Sequence, residues 1–338
     1  MATTDFWSLE RVNRRQTALL VAAFLVLFSA LGLGLDFVVG DLRVESGTLI
    51  GFPLLTVVAL IIGSVQSLVS FYGGAALVLA SVHARELKPD TPKHQMVLDV
   101  VQEMALAARM PAMKAYIMDD PAPNAFATGR DPAHSAICVT QGLVEQMDRE
   151  ELQGVIGHEM AHVRDYDIRT MMMIAVLIGG IAMLADFVYR WMWFGGMDRR
   201  RRDRDEGGAE AGALIAIAVF ILAAISPILS QLIAMGVSRQ REYLADAASV
   251  EFTRNPRALL RALEHIASIE SPLRHASRGI AHLFIVNPLE GAVDDGEGFF
   301  DNLLSSHPPL RRRIERLRAL AGEAPAHAAA HDAASARP

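Results

Sequence analysis

The sequence predicts a mostly helical membrane protein that also contains a small antiparallel β-sheet, and three observations support this fold class. First, 52% of its 338 residues are apolar and only 21% are charged. Second, the apolar residues are concentrated in four long segments separated by stretches of mixed composition. Third, short runs of β-forming residues occur in one mixed stretch, where Pro, Gly, Asn and Asp separate them as turns do.

Four apolar segments are long enough to cross a bilayer, at residues 17–39, 49–79, 168–188 and 213–237. A bilayer core of about 30 Å requires roughly 20 helical residues, whereas a run of about 10–14 apolar residues is more typical of a buried core helix. Burial in a soluble core is therefore the weaker interpretation of the first two segments. Burial in a soluble core fits the third and fourth segments better than the first two, because Arg169 and Asp186 lie at the ends of the third and Pro227 interrupts the fourth.

The first apolar segment could instead be a secretory signal peptide. Its apolar run is longer than the roughly 7–15 residues of a typical signal-peptide core, and 16 mostly polar residues precede it. We therefore interpret the segment as a retained membrane anchor.

Between the second and third apolar segments the chain has the pattern of a folded domain. Residues 91–110 place apolar side chains at helical spacing after a Thr-Pro start, which predicts an amphipathic helix. The runs KAYIMDD, AFATG and SAICVTQG predict the strands of the antiparallel sheet. A further helix is predicted to begin at Asp148, because Glu151 follows three residues later in the pattern of a capping box.

The stretch GHEMAHVRD, residues 157–165, contains the pattern H-E-x-x-H. His158 and His162 lie four residues apart on one face of a helix, so both imidazoles can reach a single ion. The pattern is a signature of zinc peptidases, in which zinc acts as a Lewis acid and the glutamate, here Glu159, is the general base. The alternative is an ordinary helix that has two histidines on one side.

A catalytic zinc ion takes three protein ligands, so the motif requires a third. The spacing of metzincins would place it at position 168, which is Ile168. The best candidate is Glu242 in the stretch SRQREYLADAAS. Asp246 lies one turn further on the same helix face and could accept the second ring N–H of a ligand histidine. The alternative for this pair is a solvated helix with an ordinary charge pattern.

Resemblance to a known family comes from four stretches in a fixed order: GHEMAHVRDYD, SRQREYLADAAS, HLFIVNPLEG and SSHPPLRRRIERLRAL. They are similar to those of the HtpX-type membrane zinc metallopeptidases, relatives of the CAAX prenyl endopeptidases, and the similarity extends over nearly the whole chain. The resemblance implies a gluzincin-type domain fused to transmembrane helices, with one Zn²⁺ per chain held by His158, His162 and Glu242. It also implies cleavage of misfolded or damaged membrane proteins in quality control and the stress response.

The resemblance assigns roles to further residues. The run PNAFATGR is similar to the family's substrate-binding edge strand, here Asn124, Ala125, Phe126, Ala127 and Thr128. His307, in SSHPPL, would stabilise the oxyanion together with zinc, although a structural histidine before a Pro-Pro turn is the alternative. Arg313 would order the same region.

These patterns divide the chain into five parts. They are a transmembrane hairpin at 1–82, a first catalytic half at 83–167, a second hydrophobic hairpin at 168–237, a second catalytic half at 238–320 and a disordered tail at 321–338.

The distribution of Lys and Arg favours a multi-pass protein of a bacterial-type inner membrane with its catalytic domain in the cytoplasm. Ten basic residues flank the membrane on the catalytic side against seven on the other. Six of those seven are arginines between residues 190 and 204, in the loop of the second hairpin, which opposes the positive-inside rule. An alternative is therefore that this hairpin does not fully span. The expected partners are protein or peptide substrates and the lipid bilayer, and a net charge of −6 does not favour nucleic acid.

Two rival functions differ in features that the sequence contains. A site-2-type intramembrane protease shares H-E-x-x-H but places it within an apolar span, whereas charged residues surround it here. A catalytically silent scaffold or chaperone does not require the complete set of catalytic residue types. A transporter is also disfavoured, because none of the four apolar segments has a well-centred ionisable residue.

Overall fold

The computed structural model describes residues 6–39, 43–45, 48–177, 239–269, 280–286 and 308–323. The chain separates into two compact units. One contains Met1–Asn13, Gly74–Met172 and Ala234–Pro338, and the other contains Arg14–Gly73 and Met173–Ile233. Four predicted features lie outside the described residues: the arginine-rich loop, the fourth apolar segment, His307 and the C-terminal tail beyond residue 323. The third apolar segment is described as far as residue 177, and it is helical from residue 167.

Two long helices open the chain, as the first two apolar segments predict. Helix α1 is Phe6–Val39 and helix α2 is Leu54–Ser81. The short hairpin between them, β1 (Arg43–Glu45) and β2 (Thr48–Ile50), was not predicted. A carboxylate on α1 fixes the start of α2. Asp36 accepts hydrogen bonds from the backbone N–H groups of Leu55 and Thr56 at 2.8 and 2.9 Å, which satisfies donors that a helix start leaves unpaired.

Within the described residues, α2 is the one helix that meets the length and composition expected of a membrane span. Only 17% of its most apolar 18-residue window is buried. Large apolar side chains such as Ile61, Val65 and Leu68 are each more than half exposed. A core helix would bury them, so the exposed apolar surface of α2 is more consistent with contact to lipid.

The β-sheet is mixed, which corrects the prediction of an antiparallel one. Its strands are β3 (Arg85–Glu86), β4 (Lys114–Met118), β5 (Ala125–Gly129) and β6 (Ser135–Thr140), in the spatial order β3-β4-β6-β5. Strand β6 forms an antiparallel hairpin with β5 but pairs in parallel with β4. The chain reverses before and after β5, so β4 and β6 run in the same direction.

Six further helices are described around this sheet: α3 (Pro92–Ala107), α4 (Gln141–Gln146), α5 (Arg149–Arg164), α6 (Arg239–Thr253), α7 (Pro256–Ala267) and α8 (Leu310–Leu320). The predicted amphipathic helix is α3. The predicted capping box begins α5, where Asp148 accepts from the Glu151 N–H and the Glu151 carboxylate accepts from the Asp148 N–H.

Helix α5 is the centre of this unit, because it packs against α3, α6, α7 and β5. Its middle is buried almost all round, with Leu152, Val155, Ile156 and Met160 fully enclosed. A short helix that is buried on every side requires small residues wherever a neighbour approaches closely. Gly154 is such a residue, since a Cβ built there would lie 2.4 Å from the backbone nitrogen of Leu259 on α7.

We predict that Gly154→Ala destabilises the protein by about 1–3 kcal/mol, because the added methyl group overpacks the contact between α5 and the backbone of α7. The measurement is the thermal unfolding midpoint of the detergent-purified chain by circular dichroism. Gly73→Ala is the matched control, because nothing lies within 4 Å of a Cβ at Gly73. An unchanged midpoint for Gly154→Ala would contradict the close approach.

Candidate metal centre

Two histidines and one glutamate meet at a single point inside this unit. His158 and His162 lie on α5 and Glu242 lies on α6, and all three side chains are buried. The two Nε2 atoms are 3.2 Å apart. One Glu242 oxygen is 3.6 Å from Nε2 of His158, and the other is 3.4 Å from Nε2 of His162. The structure therefore brings together the three ligands that the sequence suggested.

These distances are close to those expected when three side chains hold one metal ion. An ion with bonds of about 2.0–2.2 Å in tetrahedral geometry holds its ligand atoms roughly 3.3–3.6 Å apart. Two imidazole nitrogens and one carboxylate oxygen are also a usual donor set for a catalytic zinc, which keeps its fourth position open. The donor chemistry and the spacing are therefore both consistent with a zinc ion.

Small residues allow α5 and α6 to approach closely enough to form the centre. Ala161 of α5 packs against Ala245 and Ala248 of α6. One turn away, the Ser249 hydroxyl donates a hydrogen bond to the Gly154 carbonyl at 2.7 Å. Because no large side chain separates the helices, Glu242 reaches the histidines although it lies far from them in sequence.

Each histidine has a carboxylate on its outer ring nitrogen. Nδ1 of His158 is 2.9 Å from Asp246, and Nδ1 of His162 is 3.2 Å from Asp167. An ionised carboxylate can only accept, so the facing Nδ1 carries the hydrogen and Nε2 keeps its lone pair. Asp246 was predicted for this position. Asp167 was not singled out, although it ends the motif GHEMAHVRDYD, where a carboxylate five residues after His162 was the available signal.

Arg313 of α8 lies behind the centre and is only 1% exposed. Its Nη2 donates to Asp246 at 2.7 Å, its Nη1 donates to the Ile285 carbonyl at 2.8 Å, and Nη1 lies 3.7 Å from Glu242. It thus contacts two of the carboxylates that surround His158. The guanidinium and the His158 ring together lower the pKa of Asp246, although burial opposes them.

The buried groups around the centre have a net negative charge that a divalent cation can balance. Apart from Asp165, which pairs with Arg164, four carboxylates around the two histidines are buried, those of Glu159, Asp167, Glu242 and Asp246. Arg313 and Arg241 are the guanidiniums in contact with them. Two negative charges therefore remain, and one ion such as Zn²⁺ would balance them.

Glu159, the predicted general base, is buried beside the centre and is held by strand β5. Its Oε2 accepts a hydrogen bond from the Ala127 N–H of β5 at 2.8 Å. Burial raises the pKa of Glu159, and the nearby His158 and His162 oppose that shift. Burial lowers the pKa of His162, but Glu242 and other carboxylates outweigh it and raise that pKa to about 9.

The predicted substrate strand is an edge strand of the sheet, but part of its outer edge is in use. Phe126 forms an isolated antiparallel bridge with Phe284, and the Ile285 N–H donates to the Ala125 carbonyl at 3.0 Å. The Asn124 side chain donates to the Val286 carbonyl at 2.9 Å. The edge that the sequence suggested for peptide binding is therefore covered at its beginning by residues 284–286.

Cys138 is a core residue, as its place in a β-type run predicted. It lies on β6, its side chain is fully buried, and burial raises its thiol pKa. Those properties are opposite to the ones that activate a nucleophilic cysteine.

Comparison with known proteins gives one consistent result. A family model described as "Peptidase family M48" matches residues 92–321. A "Protease HtpX homolog" of Lactobacillus acidophilus is 40% identical over 308 residues, which cover 90% of this chain and 96% of the relative. The protein of the same description from Thermoanaerobacter pseudethanolicus is 38% identical over 321 residues, or 95% and 99% of the two chains. That from Caldanaerobacter subterraneus subsp. tengcongensis is 44% identical over 244 residues, or 72% and 77%.

We predict that Asp167→Ala weakens zinc binding by about 10- to 100-fold, because His162 loses the partner that fixes its tautomer and ring orientation. Competition of the purified chain with a chromophoric zinc chelator measures the affinity. Asp99→Ala removes an exposed carboxylate on α3 and should leave the affinity unchanged. If both variants bound zinc equally, the hydrogen bond to His162 would have no part in metal binding.

Proposed function

The chain belongs to peptidase family M48 and is a metallopeptidase, and on that premise we propose that it is a membrane-bound zinc endopeptidase. One observation carries the proposal. His158, His162 and Glu242 converge with their ligand atoms within 4.8 Å of one another, and Glu159 lies beside them against the edge strand β5. The proposed substrates are misfolded or damaged membrane proteins, whose removal serves membrane protein quality control and the stress response.

In the proposed reaction, the histidines and Glu242 hold one zinc ion, which when bound supplies Lewis acidity toward the peptide carbonyl. Glu159 accepts a proton from the attacking water and returns it to the leaving amine. The burial of Glu159 supports this role, because it shifts the pKa of the carboxyl group toward neutral pH. A group whose pKa lies nearer to the working pH can both accept and donate a proton. His307 is proposed to stabilise the oxyanion.

The hydrogen bonds of β5 suggest where an extended peptide would pair. Residues 284–286 already cover Ala125 and Phe126. The Ala127 N–H points to Glu159, and the N–H and C=O of one strand residue face the same edge. We therefore place the peptide along Ala127 to Gly129, beyond the start of the predicted strand that residues 284–286 cover, with the Ala127 carbonyl as the first acceptor.

The proposed setting is a bacterial-type inner membrane, crossed several times, with both halves of the catalytic domain on the cytoplasmic side. The exposed apolar surface of α2 supports at least one span. The basic residues that flank the catalytic half support the orientation. The bilayer and membrane-protein substrates are the expected partners.

We predict that Glu159→Gln abolishes cleavage of casein by the detergent-purified chain, with a loss of at least about 10²-fold, because a neutral amide cannot accept the proton. Zinc content should stay near one ion per chain in both proteins. Glu150→Gln, on the exposed side of the same helix, should cleave like wild type. Zinc without cleavage in the wild type would favour a scaffold, and no zinc in the wild type would overturn the centre.

We also predict that a green fluorescent protein fused after residue 323 fluoresces in bacteria, whereas an alkaline phosphatase fused there is inactive. The fluorescent protein becomes fluorescent when it folds in the cytoplasm, whereas the phosphatase becomes active only after export. The two fusions therefore report the side of the membrane on which α8 lies. A phosphatase inserted between residues 45 and 48 should be active. Reversed results at the two positions would contradict the proposed orientation.

A further inference from the structure

Asn13 reaches the metal centre from the first helix of the chain. It lies on α1, four residues before the first apolar segment begins at Thr17, and only 2% of it is exposed. Its amide nitrogen donates two hydrogen bonds of 2.7 Å, one to the Asp165 carbonyl and one to Oδ1 of Asp167. Both hydrogens of the amide are therefore used on the segment that follows α5.

The two bonds lie on either side of a strained residue. Asp165 is the C-cap of α5, and Tyr166 after it has a φ of +62°. A left-handed conformation is unfavourable for a residue with a side chain, so surrounding contacts must hold it. By binding the carbonyl before Tyr166 and the carboxylate after it, Asn13 closes the turn that returns Asp167 toward α5.

Asp167 connects Asn13 to His162, one of the proposed metal ligands. Its Oδ1 accepts from Asn13, and also from Arg241 of α6 at 3.1 Å. Its Oδ2 faces Nδ1 of His162 at 3.2 Å. One carboxylate therefore joins α1, α5 and α6, and Arg241 is the direct sequence neighbour of the ligand Glu242.

We propose that Asn13 is a positioning residue of the metal centre, which acts on His162 through Asp167. The inference rests on the proposed zinc peptidase function. Asn13 donates to the Asp165 carbonyl and to the Asp167 carboxylate, so it acts on the centre by holding Asp167 in place. The helix that contains the predicted membrane anchor thus contributes a residue that supports the metal centre.

The experiment uses the full-length chain in detergent with cobalt in place of zinc. The variant is Asn13→Leu, which keeps the size of the side chain and removes both donors. The matched control is Val12→Ala, the neighbouring residue, whose side chain is 48% exposed. We expect Asn13→Leu to weaken metal binding about tenfold, to alter the visible d–d absorption of cobalt, and to lower kcat on casein with little change in KM.

A double-mutant cycle tests whether the effect passes through Asp167. In an Asp167→Ala background, adding Asn13→Leu should weaken metal binding by less than about twofold further, because the partner it acts on is already gone. Asn13→Ser, smaller and still polar, provides a second variant if Asn13→Leu does not accumulate in the membrane. It should show the same changes to a smaller degree.

The possible outcomes separate this inference from the function on which it rests. If wild type takes up cobalt and Asn13→Leu has the same affinity and spectrum, Asn13 is structural only and the inference is overturned. Fully additive losses in the cycle would overturn the route through Asp167. A wild-type chain that takes up no cobalt would overturn both the zinc peptidase and the role of Asn13.

Discussion

The metal centre depends on two buried hydrogen bonds, from Nδ1 of His158 to Asp246 and from Nδ1 of His162 to Asp167. They fix the tautomers, so that the two Nε2 lone pairs face each other at 3.2 Å. Two lone pairs repel at that distance, and either a proton or a metal ion must lie between them. Burial lowers the pKa of His162, but the charges of Glu242 and other carboxylates raise it to about 9, so the same charges favour either a proton or a metal ion on this side chain. Metal binding here therefore displaces a proton.

Burial of so many ionisable groups is tolerated because each has a partner of opposite charge or a donor. Arg313 neutralises Asp246, and Arg241 neutralises Asp167. Removing either guanidinium would leave a carboxylate uncompensated in a low-dielectric interior, which costs far more than the loss of an exposed ion pair. These arginines also connect α6 and α8 to the histidine helix, so the electrostatic balance and the packing of the unit are parts of one arrangement.

The strand next to the centre combines two tasks that constrain each other. β5 supplies the Ala127 N–H that holds Glu159, and it is also the edge where a peptide is proposed to bind. Residues 284–286 cover the start of this edge, which blunts a strand that would otherwise be open to non-specific pairing. The rest of the strand, Ala127 to Gly129, lies next to Glu159, so a peptide paired with it would present its backbone close to this residue.

The sequence by itself determined the local elements and most of the chemistry. The length of two apolar segments predicted α1 and α2, helical spacing predicted α3 and the capping box predicted the start of α5. The pattern H-E-x-x-H placed two candidate ligands and the proposed base on one helix. Each of these predictions depends on residues that are close together in the sequence. Only the tertiary structure decided the mixed sheet order, the cover on β5, and the places of Asp167, Arg241 and Asn13. These features depend on which distant segments of the chain come into contact. The residues next to a carboxylate or an amide in the sequence do not indicate which distant group will bind it. Asn13 is one example, since its hydrogen bond to Asp167 joins residues 154 positions apart.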